Sequence, residues 1–138
     1  MGSYTHQTQL RVRYAETDQM GYVYYGVYPT YFEVGRVELV RSLGITYAEL
    51  ERDHGVMMPV LHLSVDYHQA ARYDELLTLE TTLVEVPTLR VTFEHRLYRP
   101  GGELAAQGRV VLVFVGRTTE KPVRPPAVFL QALERQVG

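Results

Sequence analysis

Leu10, Val12 and Tyr14 alternate with Gln9, Arg11 and Arg13, the period of two shown by a strand with one face in the core. Between Ala15 and Pro29 no period holds. Gly21, Gly26 and Pro29 punctuate that stretch, and Tyr22, Tyr24, Tyr25 and Tyr28 crowd it, an unusual aromatic load for a loop. From Thr30 to Leu43, Tyr31, Phe32, Val34, Val37, Leu39, Val40 and Leu43 cover most of a helical circumference before Gly44 stops the run. This pattern predicts a helix wrapped by other elements. A short second helix over Thr46 to Arg52 would be capped by Thr46, with Glu49 three residues on. Strands are expected over Met57 to Tyr67, Leu76 to Val86, Leu89 to Tyr98 and Leu104 to Gly116, the last three as an antiparallel meander. Within the last of them, Val110 to Val115 reads as a strand buried on both faces. Pro125 and Pro126 open a C-terminal amphipathic helix over Ala127 to Gln136.

Strand, loop, enclosed helix and then a run of long strands describe an α+β layer in which a curved antiparallel sheet wraps a central helix. One such sheet leaves an edge and part of the helix face open, so a homodimer or a dimer of dimers is expected. At 138 residues, 46% of them hydrophobic, the chain suits a single domain over 1–138. A formal net charge of -2 without blocks of like charge argues against a nucleic-acid partner. The absence of cysteine removes disulfides, thiolate metal ligands and a cysteine nucleophile, and fits a reducing compartment. The first residues have neither a basic nor an apolar signal region, so a cytoplasmic location is expected. The apolar run Val110 to Val115 is far short of the ~20 residues of a membrane helix, and no membrane partner is expected.

Ser3, Ser42 and Ser64 lie outside any G-x-S-x-G elbow, and zinc-protease, Walker A and dinucleotide motifs are missing. His62 and His68 would need further ligands to hold a metal. The chemistry is expected to need no metal and no cofactor. Attention falls on Asp18, in the loop joining the first strand to the helix. Gly21 lets the backbone approach a ligand there, and the unpaired N–H groups of the helix start attract developing negative charge. A carboxylate facing such donors suits a thioester, because a thiol of pKa near ~8.5 leaves without much acid help. The competing use of Asp18 is local: a side-chain cap of a glycine-containing turn.

The residues Arg13-Tyr14, Thr17-Asp18, Gly21, Val23-Tyr24, Tyr28, Phe32-Glu33, Arg36, Glu38 and Leu43-Gly44 resemble the signature of the 4-hydroxybenzoyl-CoA thioesterase-like branch of hotdog-fold acyl-CoA thioesterases. The resemblance spans nearly the whole chain. It implies a hotdog fold with a five-stranded sheet around a long central helix. The implied activity is hydrolysis of acyl-CoA, with Asp18 as catalytic carboxylate and the backbone N–H of Tyr25 polarising the thioester carbonyl. Tyr25 and Val27 stand where many members carry His and Asn. Tyr14, Gly21, Val23, Tyr24 and Tyr28 are the expected substrate-binding residues of the loop. Arg72, Arg90, Arg117, Lys121 and Arg124 are candidates for the CoA phosphates, with Arg90 and Arg117 placed first. Glu33 and Arg36 are read as a buried or interface ion pair. Two other readings stay open: a hotdog enoyl-CoA hydratase or dehydratase, and a non-catalytic acyl-CoA-binding protein in which Asp18 only caps its turn.

Overall fold

A computed structural model describes residues 3–137. Alternation carries the first strand further back than its apolar residues suggest: β1 spans Tyr4–Arg11, with Tyr4, His6, Thr8 and Leu10 leaning inward and the residues between them exposed. Tyr14 is not part of it. The amide of Glu16 bonds to the Arg13 carbonyl and that of Thr17 to the Tyr14 carbonyl, so the chain coils into a 3-10 turn, Tyr14–Glu16. Tyr14 is left 79% exposed. A second such turn, Tyr25–Val27, runs directly into α1 (Tyr28–Ser42), which begins two residues before the expected start with Pro29 in its first turn.

Thr46 caps α2 (Tyr47–His54) by accepting the Glu49 amide, and Gly55 ends it in the left-handed conformation. The expected strand Met57 to Tyr67 is divided. Pro59 has no N–H for a ladder, and the chain makes β2 (Val56–Met57) and then β3 (Val60–Tyr67). After it come β4 (Leu76–Leu83), β5 (Arg90–Tyr98), β6 (Leu104–Val113), the short β7 (Val115–Gly116) and α3 (Ala127–Val137). The main sheet has five antiparallel strands in the order β1-β4-β5-β6-β3, and β2 pairs separately with β7. β4, β5 and β6 form the expected meander.

The central helix packs against β1, β3, β4 and β5. Tyr28, Tyr31, Phe32, Gly35, Arg36, Leu39 and Val40 form its buried face, while Val34 stays 38% exposed, so one chain wraps the helix on one side only. Close approach is built from missing methyl groups. A Cβ on Gly35 would collide with Thr81 and come within 2.7 Å of Leu79, and one on Gly108 would collide with Phe32. Phe32 stacks on His95 with centroids 4.6 Å apart. The expected Glu33–Arg36 ion pair does not form: Glu33 is exposed, and Arg36 pairs with no carboxylate among the described residues. Burial instead holds the Arg36 guanidinium below its usual pKa, opposed by the neighbouring Tyr47 and Glu33.

At the edge, β3 presents Val60, Leu61, Leu63 and Tyr67 to solvent, each at least 40% exposed. No helix among the described residues is long and apolar enough to cross a membrane.

Candidate active site

The loop between β1 and α1 is short of regular structure but not of hydrogen bonds. The Asp18 amide donates to the Tyr22 carbonyl at 2.8 Å, and the Gly21 amide returns to the Asp18 carbonyl at 3.0 Å. This tight turn requires φ of +81° at Gly21, which a glycine adopts freely. Val23 reaches the Ala71 carbonyl and Tyr24 the Glu16 carbonyl, tying the loop to the segment before β4 and to its own first turn. Beneath it, the half-buried Glu16 accepts from the Arg13 amide, the Arg13 guanidinium and the Tyr31 hydroxyl. Burial alone would raise the Glu16 pKa; these hydrogen bonds outweigh it and hold the carboxyl below its usual range. Burial, and then the same contact with Glu16, push the Tyr31 phenol far up.

Asp18 uses one oxygen on its own turn. Oδ1 accepts the Met20 amide at 2.9 Å and the Tyr22 amide at 3.2 Å, and Oδ2 has no hydrogen-bond partner among the described residues. The local cap and a free carboxylate oxygen therefore coexist in one side chain. Asp18, Val23, Tyr25, Tyr28 and Tyr67 line a cavity of about 270 Å3. The Tyr25 and Gly26 amides open the helical turn ahead of its hydrogen-bond ladder and have no backbone acceptor among the described residues. Tyr67 donates its hydroxyl to the Tyr25 carbonyl at 2.9 Å, fixing that peptide. Burial raises the phenol pKa of Tyr28, partly offset by a hydrogen bond at Ala71, and burial also raises that of Tyr67. The Tyr28 and Tyr67 phenols are thus neutral near pH 7.

The expected site residues fall into four places. Val23, Tyr25 and Tyr28 share the first cavity with Asp18, whereas Tyr14 and Gly21 share a second one that Asp18 also lines. Tyr24 lines neither; it is exposed and stands 4.5 Å from the Tyr25 ring. Arg90 and Arg117 are at the other end of the sheet. Arg90 starts β5 opposite Val113, and β5 ends at Tyr98 beside Arg99, which pairs at 2.7 Å with Glu75 near the Asp18 loop. At about 3.3 Å per residue this separates Arg90 from the loop end by about 26 Å. Arg117 follows β7, with its amide on the Gly55 carbonyl. Arg72, placed behind them on sequence grounds, is nearer: its guanidinium sits 4.7 Å over the Tyr22 ring. In sequence, Tyr73 marks a turn over Arg72-Tyr73-Asp74, and Tyr67 a strand end and a landmark of the family resemblance. Their proximity to Asp18 depends on long-range pairing.

Comparison with known proteins agrees with the fold. The model of the thioesterase-like superfamily matches residues 12–133. The acyl-CoA thioesterase YbgC of Haemophilus influenzae is 37% identical over 118 residues, 85% of each chain. A crystal structure of a DHNA-CoA thioesterase from Staphylococcus aureus superposes with a TM-score of 0.89 at 32% identity, over 96% of this chain and 91% of that one. The structure of a 4-hydroxybenzoyl-CoA thioesterase variant in complex with 4-hydroxybenzoyl-CoA gives a TM-score of 0.83 over 93% of this chain and 97% of that one. At 20% identity that last likeness is one of fold alone. By its sequence match and its sheet-wrapped helix, the chain belongs to the thioesterase-like superfamily of hotdog-fold proteins.

Proposed function

We propose that the chain hydrolyses acyl-CoA thioesters to free acid and CoA, with Asp18 as the reacting carboxylate and the Tyr25 amide as oxyanion donor. The observation that carries this reading is the division within one carboxylate: Oδ1 is anchored by two backbone amides, while Oδ2 is free. The cavity that Asp18 and Tyr25 share supports the same assignment. Two balanced routes use it. In one, Oδ2 attacks the thioester carbon, the thiolate leaves, and water cleaves the resulting anhydride. In the other, Oδ2 takes a proton from the water that attacks. Either way the tetrahedral oxyanion meets the Tyr25 N–H, a contact of a kind worth about 3 kcal/mol. Val23 and Tyr28 shape the space for the thioester, and Gly21 sets the turn that presents Asp18. Nothing in either route calls for a metal or cofactor.

The working unit in this reading is a homodimer, alone or as half of a dimer of dimers, joined through β3. Its exposed apolar side chains and unpaired ladder make this the edge suited to a second copy. Full antiparallel overlap of two such strands sets Val60 of one against Tyr67 of the other, so the far end of each sheet reaches the Asp18 loop of its partner. That would bring a second apolar cavity, about 470 Å3 and lined by Tyr47, Met57, Met58 and Val115, to the acyl side of the thioester. It would also carry Arg90 and Arg117 toward the CoA phosphates, a role they cannot fill within one chain.

The test is Asp18→Asn, which keeps an oxygen for the two turn amides. Thiol release from acyl-CoA should fall by a factor on the order of a thousand with folding intact. Unchanged release would leave Asp18 as a cap and return the site to ligand binding. Hydration of enoyl-CoA by the wild type would replace hydrolysis with the other hotdog chemistry.

A further inference from the structure

Asp18 borders two cavities, and the second has no part in the mechanism above. It is broad and open, about 860 Å3, with Tyr14, Thr17, Gln19, Gly21 and Tyr73 around the carboxylate. A thioester placed at Asp18 has two ends to house. The acyl end stops within the protein, but the thiol end continues through a long arm to a nucleotide or a carrier protein and must therefore reach solvent. The cavity holding Tyr25 is bordered by Tyr67, at the end of the apolar edge strand that a second copy would cover. The Tyr14–Tyr73 cavity contains no residue of that strand.

We propose that Tyr14 and Tyr73 form the platform for the pantetheine arm of the thiol carrier, the amide-bearing segment that CoA and acyl carrier proteins have in common. The proposal rests on the thioesterase reading and adds which part of the substrate the chain grips outside the reacting bond. The two rings meet edge to face, 5.7 Å apart at 85°, while Tyr14 is 79% and Tyr73 55% exposed. Neither hydroxyl has a hydrogen-bond partner among the described residues. Amide planes and methyl groups pack well on such faces, and the free hydroxyls can meet the arm's amides.

The platform is also braced as a loose surface aromatic would not be. Tyr14 opens the turn held by Arg13 and Glu16, with the Thr17 hydroxyl on its carbonyl at 2.7 Å. Tyr73 precedes Asp74, a non-glycine residue at φ +66°. That conformation is held by Arg11 on the Asp74 carbonyl at 2.7 Å and by the Asp74 amide on the Val12 carbonyl at 3.1 Å. Two separate segments are thus fixed so that two exposed rings touch beside the carboxylate.

The experiment varies the thiol and keeps the acyl group. Thioesters of CoA, pantetheine, an acyl carrier protein and N-acetylcysteamine, which lacks most of the arm, are hydrolysed by the wild type, Tyr14→Ala, Tyr73→Ala and Tyr73→Phe. Each alanine variant should raise KM about tenfold for the CoA and pantetheine thioesters alike, with kcat little changed. N-acetylcysteamine thioesters should lose about threefold or less, and Tyr73→Phe should recover most of the loss, because the ring remains. An equal penalty on carrier-protein substrates assigns the arm to either carrier; hydrolysis of CoA thioesters alone assigns it to CoA. Equal losses on all thiols, or a loss confined to CoA with pantetheine spared, would overturn the platform. Binding of free CoA, read by quenching of tyrosine emission in a chain with 11 Tyr and no Trp, tests the platform without turnover. CoA binding that weakens about tenfold in Tyr73→Ala supports the platform even if no thioester is cleaved, and binding indifferent to Tyr73 sinks it even in an active enzyme.

Discussion

At the scale of single residues, Asp18 serves a turn and a reaction with different atoms, and variants should separate the two. Asp18→Asn keeps an acceptor for Met20 and Tyr22, so its unfolding free energy should stay within about 0.5 kcal/mol of wild type. Asp18→Ala orphans both amides and should cost about 1 to 2 kcal/mol in a denaturant melt, on top of the same loss of turnover. His95 gives a second residue-scale expectation. Burial first, and then the charge of Arg36, push its pKa down to about 3; Nδ1 lies 3.1 Å from the Thr81 hydroxyl and Nε2 has no partner among the described residues. The unfolded chain binds this proton near the ordinary histidine value of about 6.5, the folded chain only near 3. Stability is therefore complete above about pH 6.5 and falls as pH drops toward 3, by up to about 1.4 kcal/mol per unit. Melts between pH 6.5 and 5, above the range of the carboxylates, should show this slope in wild type and a flatter one in His95→Phe. The sequence made Asp18 legible because its neighbours form a signature. It hid His95, since a lone histidine in a strand carries no mark of what stacks on it.

Among the elements, the helix and the strands of the meander were readable from period and punctuation, and the misreadings have local causes. Tyr14 kept the alternation going in composition while its backbone turned, and Pro59 broke a strand that its apolar neighbours continued. The tyrosine-rich loop had no period to read, yet it contains both cavities at Asp18. Sequence shows that residues such as Arg72 and Tyr73 form a turn, but only the pairing of β1 with β4 brings that turn to the loop. The seating of α1 on the sheet is also set at this scale. Gly35→Ala would push a methyl group into Thr81 and Leu79, both wholly buried. Overpacking of this kind costs about 1 to 3 kcal/mol, so a drop in melting temperature of about 3 to 10 °C is expected by calorimetry. No drop would mean that the helix can shift, and then the loop it anchors should shift with it.

For the molecule as a whole, the proposed dimer makes the apolar edge strand the feature that would set how many copies work together. Charges placed there, as in Leu61→Lys with Leu63→Glu, should convert the sedimenting species to a monomer at micromolar concentration. If the far end of one sheet completes the site of the other, turnover of acyl-CoA should disappear with the dimer while the Asp18 loop stays folded. A monomer with full activity would confine the site to one chain. The opposite border of the sheet has a different character. β1 shows Thr5, Gln7, Gln9 and Arg11 to solvent, so strand addition is favoured on one side and resisted on the other. A self-complementary joint made through the apolar side uses it up in both partners, and the borders that remain are polar. In the proposed dimer, lateral growth would then stop after one step: the geometry suited to a second copy also refuses a third, which would spare the protein open-ended polymerisation into fibres.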